Sequence, residues 1–301
     1  MIGCGVCNAL GVARIAIIGG GSIGEALLAG LIRAGRQVKD LVVAEKSAER
    51  GKYLSETYSV LVTSVADAAE NASFVIVAVK PADVTLVIDE IADAAAHAES
   101  ESAEQVFVTV AAGVTTEFYE SKLPAGAPVI RVMPNAPVVV GGGVSALAPG
   151  RFATAEQLKE AAGIFDAVGG VLTVSESQMD AVTALSGSGP AYFFLVVEAL
   201  VDAGVAAGLT RPVATDLVAQ TMAGSAAMLL ERLDAAQSAS DSAMGTGMDT
   251  TAAQLRATVT SPGGTTAAGL RELEKGGLRA ALADAVEAAK QRSSQLGITS
   301  R

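Results

Sequence analysis

A short segment of glycine and hydroxyl side chains, Ser261-Pro-Gly-Gly-Thr-Thr266, lies between two stretches rich in Ala and Leu. Pro262 ends the segment before it, and the paired glycines leave their backbone N–H groups uncovered. A helix that begins at Thr265 or Thr266 adds its positive end, so the segment could bind a small carboxylate. A plain turn between two helices, with Gly at the stop and Thr at the next N-cap, uses the same residues. Both interpretations stay open on these residues alone.

A second glycine-rich segment, Gly19-x-Gly21-x-x-Gly24, follows the apolar run Arg14-Ile-Ala-Ile-Ile-Gly19 and opens a segment with helical periodicity. In this order of strand, loop and helix, the first glycine permits a tight turn and the second lets the backbone approach a pyrophosphate. The third lets helix and strand pack closely. The segment therefore predicts a dinucleotide-binding loop.

The residues at the end of the next strand candidate bear on the choice of cofactor. Glu45 follows Gly24 by about 20 positions, where an acidic residue accepts the ribose 2′-hydroxyl of NAD(H). Lys46, Ser47 and Arg50 come directly after it and could instead hold the 2′-phosphate of NADP(H). The sequence leaves the cofactor as NAD(H) or NADP(H).

These segments need elements to position them, and the chain of 301 residues is long enough for two domains. Up to Val174, strand candidates alternate with helical stretches, which indicates a mostly parallel sheet. From Ser175 onward the pattern is helical. We therefore predict an α/β Rossmann-like dinucleotide-binding domain over residues 14–174 and an all-α substrate and dimerisation domain over residues 175–301. The strand candidates are 14–19, 41–45, 74–79, 105–110, 129–133, 144–147 and 171–174, and the C-terminal helix candidates are 175–184, 190–207, 210–234, 251–259, 266–275 and 278–296. The segments 96–104 and 234–250 are interpreted as loops without an assigned function.

Composition limits the partners. Lys and Arg total 21 against 32 Asp and Glu, so the formal net charge of −11 disfavours nucleic acid or an anionic membrane as a partner. The apolar run from Pro190 to Leu209 carries Glu198 and Asp202, which disfavours a membrane span. We expect a small-molecule substrate and no bound metal.

The chain has two cysteines, Cys4 and Cys7, both ahead of the first strand candidate. They complete neither a metal site nor a disulfide framework, which favours a reducing compartment. They could form a redox pair, but without a βαβ context a leader over residues 1–13 is the preferred interpretation. The start has no basic region before its apolar residues, so no signal peptide is indicated. We expect the protein to be cytoplasmic.

The residues that the chain lacks constrain the chemistry. The one histidine, His97, lies in a polar segment and is expected to be solvated, which disfavours a His-based hydroxyacid dehydrogenase. No Tyr is followed four residues later by Lys, and no Lys occurs between Lys159 and Lys275. A carbonyl reductase therefore has no evident acid here. A cyclic imine, in contrast, can enter already protonated on nitrogen, so that reduction needs only positioning from the protein.

Several blocks of the sequence together resemble one family, the pyrroline-5-carboxylate reductases of proline biosynthesis. The blocks occur in family order over nearly the whole chain: Ile18-Gly-Gly-Gly-Ser-Ile-Gly24, Ala78-Val-Lys-Pro81, Ala111-Ala-Gly-Val-Thr115, Arg131-Val-Met-Pro-Asn135, Leu185-Ser-Gly-Ser-Gly-Pro-Ala-Tyr192 and Val259-Thr-Ser-Pro-Gly-Gly-Thr-Thr-Ala-Ala-Gly-Leu270. The resemblance implies reduction of L-1-pyrroline-5-carboxylate to L-proline, with hydride passing from nicotinamide C4 to the imine carbon.

The resemblance also implies roles for particular residues. Thr266 is the catalytic hydroxyl expected to hydrogen-bond the ring nitrogen, and the backbone near Ser261, Gly263, Gly264 and Thr265 is expected to hold the carboxylate. The implied cofactor site comprises Gly19, Gly21, Ser22, Ile23, Gly24, Val79, Lys80, Pro81, Ala111 and Ala112, to which the residues add Glu45, Lys46, Ser47 and Asn135 as candidates. Asn135 could also be only a turn residue. The family forms homodimers through its helical domain, and often larger rings of dimers, which implies the same here.

Alternatives and departures remain. A hydroxyacid or other imine reductase on the same architecture is one rival, and a nucleotide-sensing module whose Gly263-Gly264 loop merely turns a corner is another. Gly20 stands where the family often has Cys or Ala, and Glu45 is acidic where phosphate binders often have a small polar residue. Lys80 and Pro81 could simply end a strand.

Overall fold

A computed structural model of the protein describes residues 13–97, 105–240 and 251–299. The strands in these residues are β1 (Ile15–Ile18), β2 (Leu41–Ala44), β3 (Leu61–Thr63), β4 (Phe74–Val77), β5 (Val106–Thr109), β6 (Val129–Pro134), β7 (Gly143–Pro149) and β8 (Gly169–Thr173). They form one sheet in the order β3-β2-β1-β4-β5-β6-β7-β8. All neighbours pair parallel except β6 and β7, which pair antiparallel. The carboxyl ends of β1 to β6 therefore share one edge of the sheet.

The central strands β1, β2, β4 and β5 are buried at every position. Such short, continuous apolar runs are typical of parallel strands covered on both faces. The covering helices are α1 (Ser22–Arg33), α2 (Ala48–Tyr58), α3 (Val65–Ala69), α4 (Val84–His97), α5 (Thr116–Lys122) and α6 (Ala155–Asp166). One cluster of buried side chains, which includes Leu28 and Phe165, packs α1 and α6 on one face. A second cluster, which includes Ile88 and Tyr119, packs α3, α4 and α5 on the other.

The rest of the chain is helical. A 3-10 turn (Glu176–Gln178) leads into α7 (Met179–Val182), a π-helical turn (Thr183–Gly187) and α8 (Gly189–Ala206). The remaining helices are α9 (Arg211–Ser240), α10 (Thr251–Thr258), α11 (Thr265–Lys275) and α12 (Leu278–Thr299). The predicted architecture, a Rossmann-like part with a mostly parallel sheet followed by an all-α part, is confirmed.

Several local predictions differ from the structure. The strand β3 and the helix α3 were not predicted, because each is short and β3 is only partly buried. The predicted helices 175–184 and 190–207 are joined through the π-helical turn rather than separated. Helix α9 continues past its predicted end near Asp234 to Ser240, since the Ala and Gln residues there are good helix formers.

Some predictions fall outside the described residues. They are the leader with Cys4 and Cys7, the loop residues 98–104, and the residues 241–250 of the second loop. The first loop was predicted to begin at residue 96, but residues 96 and 97 belong to α4, which ends at His97. The side chain of His97 lies outside the description, so its expected solvation stays a prediction.

The described residues fall into two compact units, one within Met1–Pro190 together with Val286–Arg301 and the other within Ala191–Ala285. The predicted domain boundary near Ser175 stays a prediction. Within Ala191–Ala285 the buried hydrophobic residues are Val201 and Ala214 alone, among those described. The helical unit therefore has very little core of its own.

Helix α8 shows this exposure most clearly. Four consecutive residues of α8 are exposed, with relative accessibilities of 61% for Phe193, 64% for Phe194, 66% for Leu195 and 42% for Val196. Because successive helical residues are 100° apart, all sides of this apolar turn are uncovered. By length and composition Glu176–Ala206 and Arg211–Ala235 could also cross a membrane. Those two properties do not distinguish a membrane span from a helix that packs against another protein chain.

Candidate active site

The glycine loop after β1 is shaped by close backbone contacts. Gly19 has a φ of 106°, and a Cβ on it would lie 2.8 Å from the carbonyl oxygen of Ala78. A Cβ on Gly24 would lie 2.0 Å from the carbonyl oxygen of Gly19. Any side chain at Gly24 would therefore push the helix off the loop. Gly21 is the N-cap residue of α1 and no side chain caps this helix start, so its first N–H groups are open to an anion.

Two side chains from the segment after β2 hold the loop in place. The carboxylate of Glu45 accepts a hydrogen bond from Gly20 N–H at 2.8 Å and another from Ser47 N–H at 2.8 Å. The carbonyl oxygen of Gly20 in turn accepts a hydrogen bond from Arg50 Nε at 2.7 Å. Both backbone polar groups of Gly20 are thus fixed by side chains. A Cβ on Gly20 would lie 2.3 Å from Cδ1 of Leu54, so a larger residue here would require the Leu54 side chain to move.

Arg50 is occupied further by an acidic residue of α1. Its guanidinium pairs with Glu25 and lies 4.9 Å from the ring centroid of Tyr53. Glu25 also accepts hydrogen bonds from Tyr53 at 3.1 Å and Tyr58 at 2.9 Å. These contacts leave Arg50 poorly placed for a 2′-phosphate, since binding one would require breaking them. The sequence did not indicate that Arg50 and Glu25 support the glycine loop.

The ionisation of this cluster follows from the same contacts. Burial alone would raise the pKa of Glu25, but the hydrogen bonds from Arg50, Tyr58 and Tyr53 outweigh it and lower the pKa below its ordinary value. Burial, followed by the hydrogen bond to Glu25, raises the pKa of Tyr58 to about 12. Glu25 is therefore charged and Tyr58 protonated at neutral pH.

A cavity of about 450 Å³ opens at the carboxyl edge of the sheet. Six of the predicted cofactor residues line it, namely Gly19, Gly21, Glu45, Lys46, Val79 and Lys80. Apolar side chains of α3 and α4, including Val65 and Leu86, form part of its wall. Lys46 forms a salt bridge of 2.9 Å with Asp83 at the cavity, but its side chain is 80% exposed, so the pair adds little stability. The shape and the open amides at Gly21 suit a dinucleotide.

The other predicted cofactor residues follow strands of the same edge but do not line this cavity. Ser22, Ile23 and Gly24 form the first turn of α1, Ser47 caps α2 by accepting from Arg50 N–H, Pro81 begins a 3-10 turn, and Ala111 and Ala112 follow β5. Asn135 follows β6, and its Oδ1 accepts from Val144 N–H at 2.9 Å. Asn135 therefore has the turn role that the sequence left open, and its contact with nicotinamide stays a prediction.

The predicted substrate segment forms a tight turn before α11. Gly264 is the N-cap residue of α11 and no side chain caps the helix. Gly263 has a φ of 68°, which favours glycine, and Gly264 N–H donates to the carbonyl oxygen of Ser261 at 3.1 Å. Among the described residues the N–H groups of Gly263 and Thr265 have no hydrogen-bond acceptor. The side chains of Thr265 and Thr266 are exposed, so the turn offers amides and a hydroxyl to a ligand.

The described part of the chain holds no cluster of three or more His, Cys, Asp or Glu side chains arranged for a metal ion.

The fold and the glycine loop together define a Rossmann-type oxidoreductase with a helical second part. In agreement, residues 14–113 match the family model described as NADP oxidoreductase coenzyme F420-dependent. Residues 176–296 match the model described as pyrroline-5-carboxylate reductase dimerisation.

Comparison with whole proteins is more specific. The pyrroline-5-carboxylate reductase of Mycobacterium tuberculosis is 71% identical over 290 residues, which are 96% of this chain and 98% of the relative. That of Corynebacterium melassecola is 43% identical over 94% of this chain and 98% of its own. The chain belongs to the pyrroline-5-carboxylate reductase family. The predicted enzyme class, an NAD(P)-dependent oxidoreductase, is thereby confirmed.

Solved structures of the same family share the fold. A pyrroline-5-carboxylate reductase from Coxiella burnetii has a TM-score of 0.83 at 35% identity, covering 95% of this chain and 99% of its own. The pyrroline carboxylate reductase of Plasmodium falciparum, solved with NADP bound, has a TM-score of 0.76 at 28% identity, covering 95% of this chain and 98% of its own.

Proposed function

We propose that the protein reduces L-1-pyrroline-5-carboxylate to L-proline with a nicotinamide dinucleotide, as a cytoplasmic homo-oligomer. The proposal rests on family membership and on one observation of the structure, the uncapped start of α11 after Gly263 and Gly264. A helix start with open N–H groups binds a carboxylate, and the substrate named for the relatives carries one. No ionisable proton donor is needed, because the cyclic imine arrives protonated on nitrogen.

In this proposal the chain's own groups bind and orient. The amides of Gly263 and Thr265 hold the carboxylate, with Ser261 and Gly264 shaping the turn, and the hydroxyl of Thr266 hydrogen-bonds the ring nitrogen. The glycine loop and the cavity at the carboxyl edge hold the dinucleotide, whose nicotinamide supplies the hydride for the imine carbon. Holding the two reactants in position accounts for the catalysis, since positioning alone can lower the barrier by several kcal/mol.

The charges at the cavity support NADH over NADPH. Glu45 lines the cavity with a carboxylate that already accepts two N–H bonds, so it stays in place beside the ribose. A 2′-phosphate there would meet this negative charge. Of the nearby cations, Arg50 is paired with Glu25 and Lys46 with Asp83, while Lys80 also lines the cavity.

Product analysis tests the reaction. We expect NADH oxidation to depend on pyrroline-5-carboxylate and to yield proline. Turnover with a hydroxyacid or another imine in its place would support the rival reductase, and dinucleotide binding without turnover of any imine or ketone would support the sensing module.

A matched pair of variants tests the residue roles. Thr266→Ala should lower kcat/KM without lowering the unfolding temperature. The loss of transition-state stabilisation should be roughly 1.5 to 3 kcal/mol, the value of a hydrogen bond to a charged group. Thr265→Ala keeps its backbone N–H and should leave kcat/KM nearly unchanged. Equal kinetics for wild type and Thr266→Ala would remove this hydroxyl from the site.

A further inference from the structure

The ion pair of Glu25 with Arg50 joins two helices beside the glycine loop. Glu25 lies on α1 and Arg50 on α2, and neither is one of the described residues that line the dinucleotide cavity. Their side chains are 22% and 32% exposed, so both charges are partly removed from water. The proposed function attributes the preference for NADH to the charge of Glu45 in the cavity. The position of this second carboxylate gives it an influence on the same choice.

Arg50 lies close to the cavity although it does not line it. Its Nε donates to the carbonyl oxygen of Gly20, a residue between Gly19 and Gly21, which both line the cavity. The N–H of Gly20 donates to Glu45, the carboxylate expected beside the ribose. By the lengths of these bonds and of the backbone between them, Glu45 Oε2 and Arg50 Nε lie within about 9 Å of each other. Rotation of the long arginine side chain can therefore bring its outer nitrogens toward a phosphate on the ribose.

Glu25 holds the guanidinium where it is. Its carboxylate pairs with Nη2 of Arg50 and also accepts hydrogen bonds from Tyr53 at 3.1 Å and Tyr58 at 2.9 Å. The Tyr53 ring lies against the guanidinium, with 4.9 Å between Cζ and the ring centroid. An arginine binds a phosphate best through two parallel N–H donors, and here Nε is used by Gly20 and Nη2 by Glu25. A 2′-phosphate would have to compete with both.

We propose that Glu25 is a second determinant of the choice of dinucleotide, because it keeps Arg50 from binding a 2′-phosphate. This inference rests on the proposed function, which places the ribose beside Glu45. Without Glu25, the guanidinium would have no carboxylate to balance its charge, and its Nη2 would be available to a phosphate oxygen. Glu25 is a positioning residue, since it acts through Arg50 and does not contact the cofactor. Glu45 repels the phosphate, and Glu25 withholds the cation that would attract it.

Fluorescence titration of the full-length protein with NADH and with NADPH, without substrate, tests the proposal. Glu25→Ala removes the carboxylate and keeps a residue that favours the helix. We expect this variant to bind NADPH more tightly than wild type does, and the ratio of NADPH affinity to NADH affinity should rise at least tenfold. A purely structural role would weaken both dinucleotides alike. An unchanged ratio, whether both affinities fall or stay the same, would overturn the proposal.

Two further variants test whether the effect passes through Arg50. In an Arg50→Gln background, adding Glu25→Ala should leave the ratio unchanged, because no guanidinium remains to be released. A rise in that background as large as in the wild-type background would mean that Glu25 acts through its charge alone, and would overturn the proposal. Glu49→Gln removes an exposed carboxylate from the first turn of α2, next to Arg50, and should not change the ratio. An equal rise in Glu49→Gln would contradict the role of Glu25 in the same way.

The measurement separates this proposal from the proposed function. The ratio in wild type tests the preference for NADH, whereas only the change of the ratio tests Glu25. Because the titrations contain no substrate, a failure to reduce pyrroline-5-carboxylate would contradict the proposed reaction without altering them.

Discussion

The glycine loop after β1 and the glycine turn before α11 both offer backbone N–H groups to an anion, but they are held in place by different contacts. Each places an uncapped helix start where an anion can bind. In the first, both backbone groups of Gly20 are held by the side chains of Glu45 and Arg50. In the second, among the described residues, Gly264 N–H donates to the carbonyl oxygen of Ser261 and its carbonyl oxygen accepts from Ala268 N–H, so backbone groups alone hold it. The cofactor loop is thus rigid within one chain, whereas the turn before α11 depends on little beyond its own backbone.

The surroundings differ in the same way. The glycine loop rests on a sheet buried on both faces, whereas the unit around α11 buries only Val201 and Ala214 among its described hydrophobic residues. A unit with so few buried residues cannot offset the conformational entropy lost on folding. The contrast indicates that the helical part is completed by association, in agreement with the dimerisation model that it matches.

The largest effect is expected from charges on α8. The double variant Phe193→Glu/Leu195→Glu places two carboxylates on opposite sides of the apolar helix. Burying either carboxylate against another chain costs several kcal/mol. We expect the double variant to lose the oligomer and its concentration-dependent unfolding temperature. Light scattering after gel filtration measures the mass.

A matched control tests whether a new charge at any exposed apolar residue would be enough to break the oligomer. Leu61→Glu changes a residue that is 58% exposed on the edge strand β3, and the oligomer should persist. If the α8 double variant kept the wild-type mass, the exposed residues of α8 would not form the contact between chains.

The next largest effect is a loss of stability, and it is expected at Gly24 but not at Gly21 of the glycine loop. Gly24→Ala should lower the free energy of unfolding by about 3 kcal/mol, because its Cβ would meet the Gly19 carbonyl at 2.0 Å. Gly21 has no atom within 4 Å of the corresponding position, so Gly21→Ala should change stability by less than about 1 kcal/mol. Its Cβ would nevertheless obstruct a pyrophosphate, and we expect at least tenfold weaker NADH binding.

Urea unfolding and fluorescence titration of NADH measure the two quantities on both variants. Equal loss of stability in Gly21→Ala and Gly24→Ala would show that the loop is not held by the packing described above.

The choice of cofactor gives a smaller effect. Glu45→Gln keeps an oxygen for the Gly20 amide and removes the negative charge, so the ratio of kcat/KM for NADPH to that for NADH should rise at least tenfold, about 1.4 kcal/mol. Glu45→Ser cannot reach Gly20, so it should raise the same ratio while lowering kcat/KM with both cofactors. A ratio that stays constant in Glu45→Gln would mean that Glu45 does not discriminate.

The smallest effect concerns pH. The folded-state pKa of Glu25 is lowered, so its contribution to stability is present above its unfolded pKa near 4.5 and is lost as the pH falls through the folded value. Glu25→Gln should therefore lower the urea midpoint at pH 7, by about 1 kcal/mol in free energy of unfolding, and the difference from wild type should shrink below pH 4.5. Glu56→Gln, whose partner Lys52 is at 3.7 Å on the surface, should change little at any pH.

The sequence predicted the cofactor loop well because its signal is local. Strand, glycines and helix are contiguous, and the periodicity changes at Gly19 where the structure changes. Glu45 could be found for the same reason, since it directly follows the neighbouring parallel strand, which ends at Ala44. The parallel sheet then brings Gly19, Glu45 and Val79 to one edge without any further information.

What could not be predicted depends on side chains that meet from distant positions. Arg50 reaches Gly20 across 30 positions and Arg131 meets Glu176 across 45, and no spacing rule indicates either contact. The edge strand β3 has only three residues and an exposed Leu61, so it lacks the apolar run that marks its neighbours. The π-helical turn was missed because Gly187 and Gly189 are typical of a break between helices, whereas in the structure Gly187 continues the helical turn and packs close to Cε of Met133.

Among the described residues, those from Val286 to Thr299 group with the unit that precedes Ala191 rather than with Ala191–Ala285. Residues 191–285 are therefore an insertion tethered at both ends rather than an appended tail. A truncation that reached Ser293 would remove both hydroxyl donors to Asp180 and so would weaken the attachment of α7, while residues 191–285 would all remain.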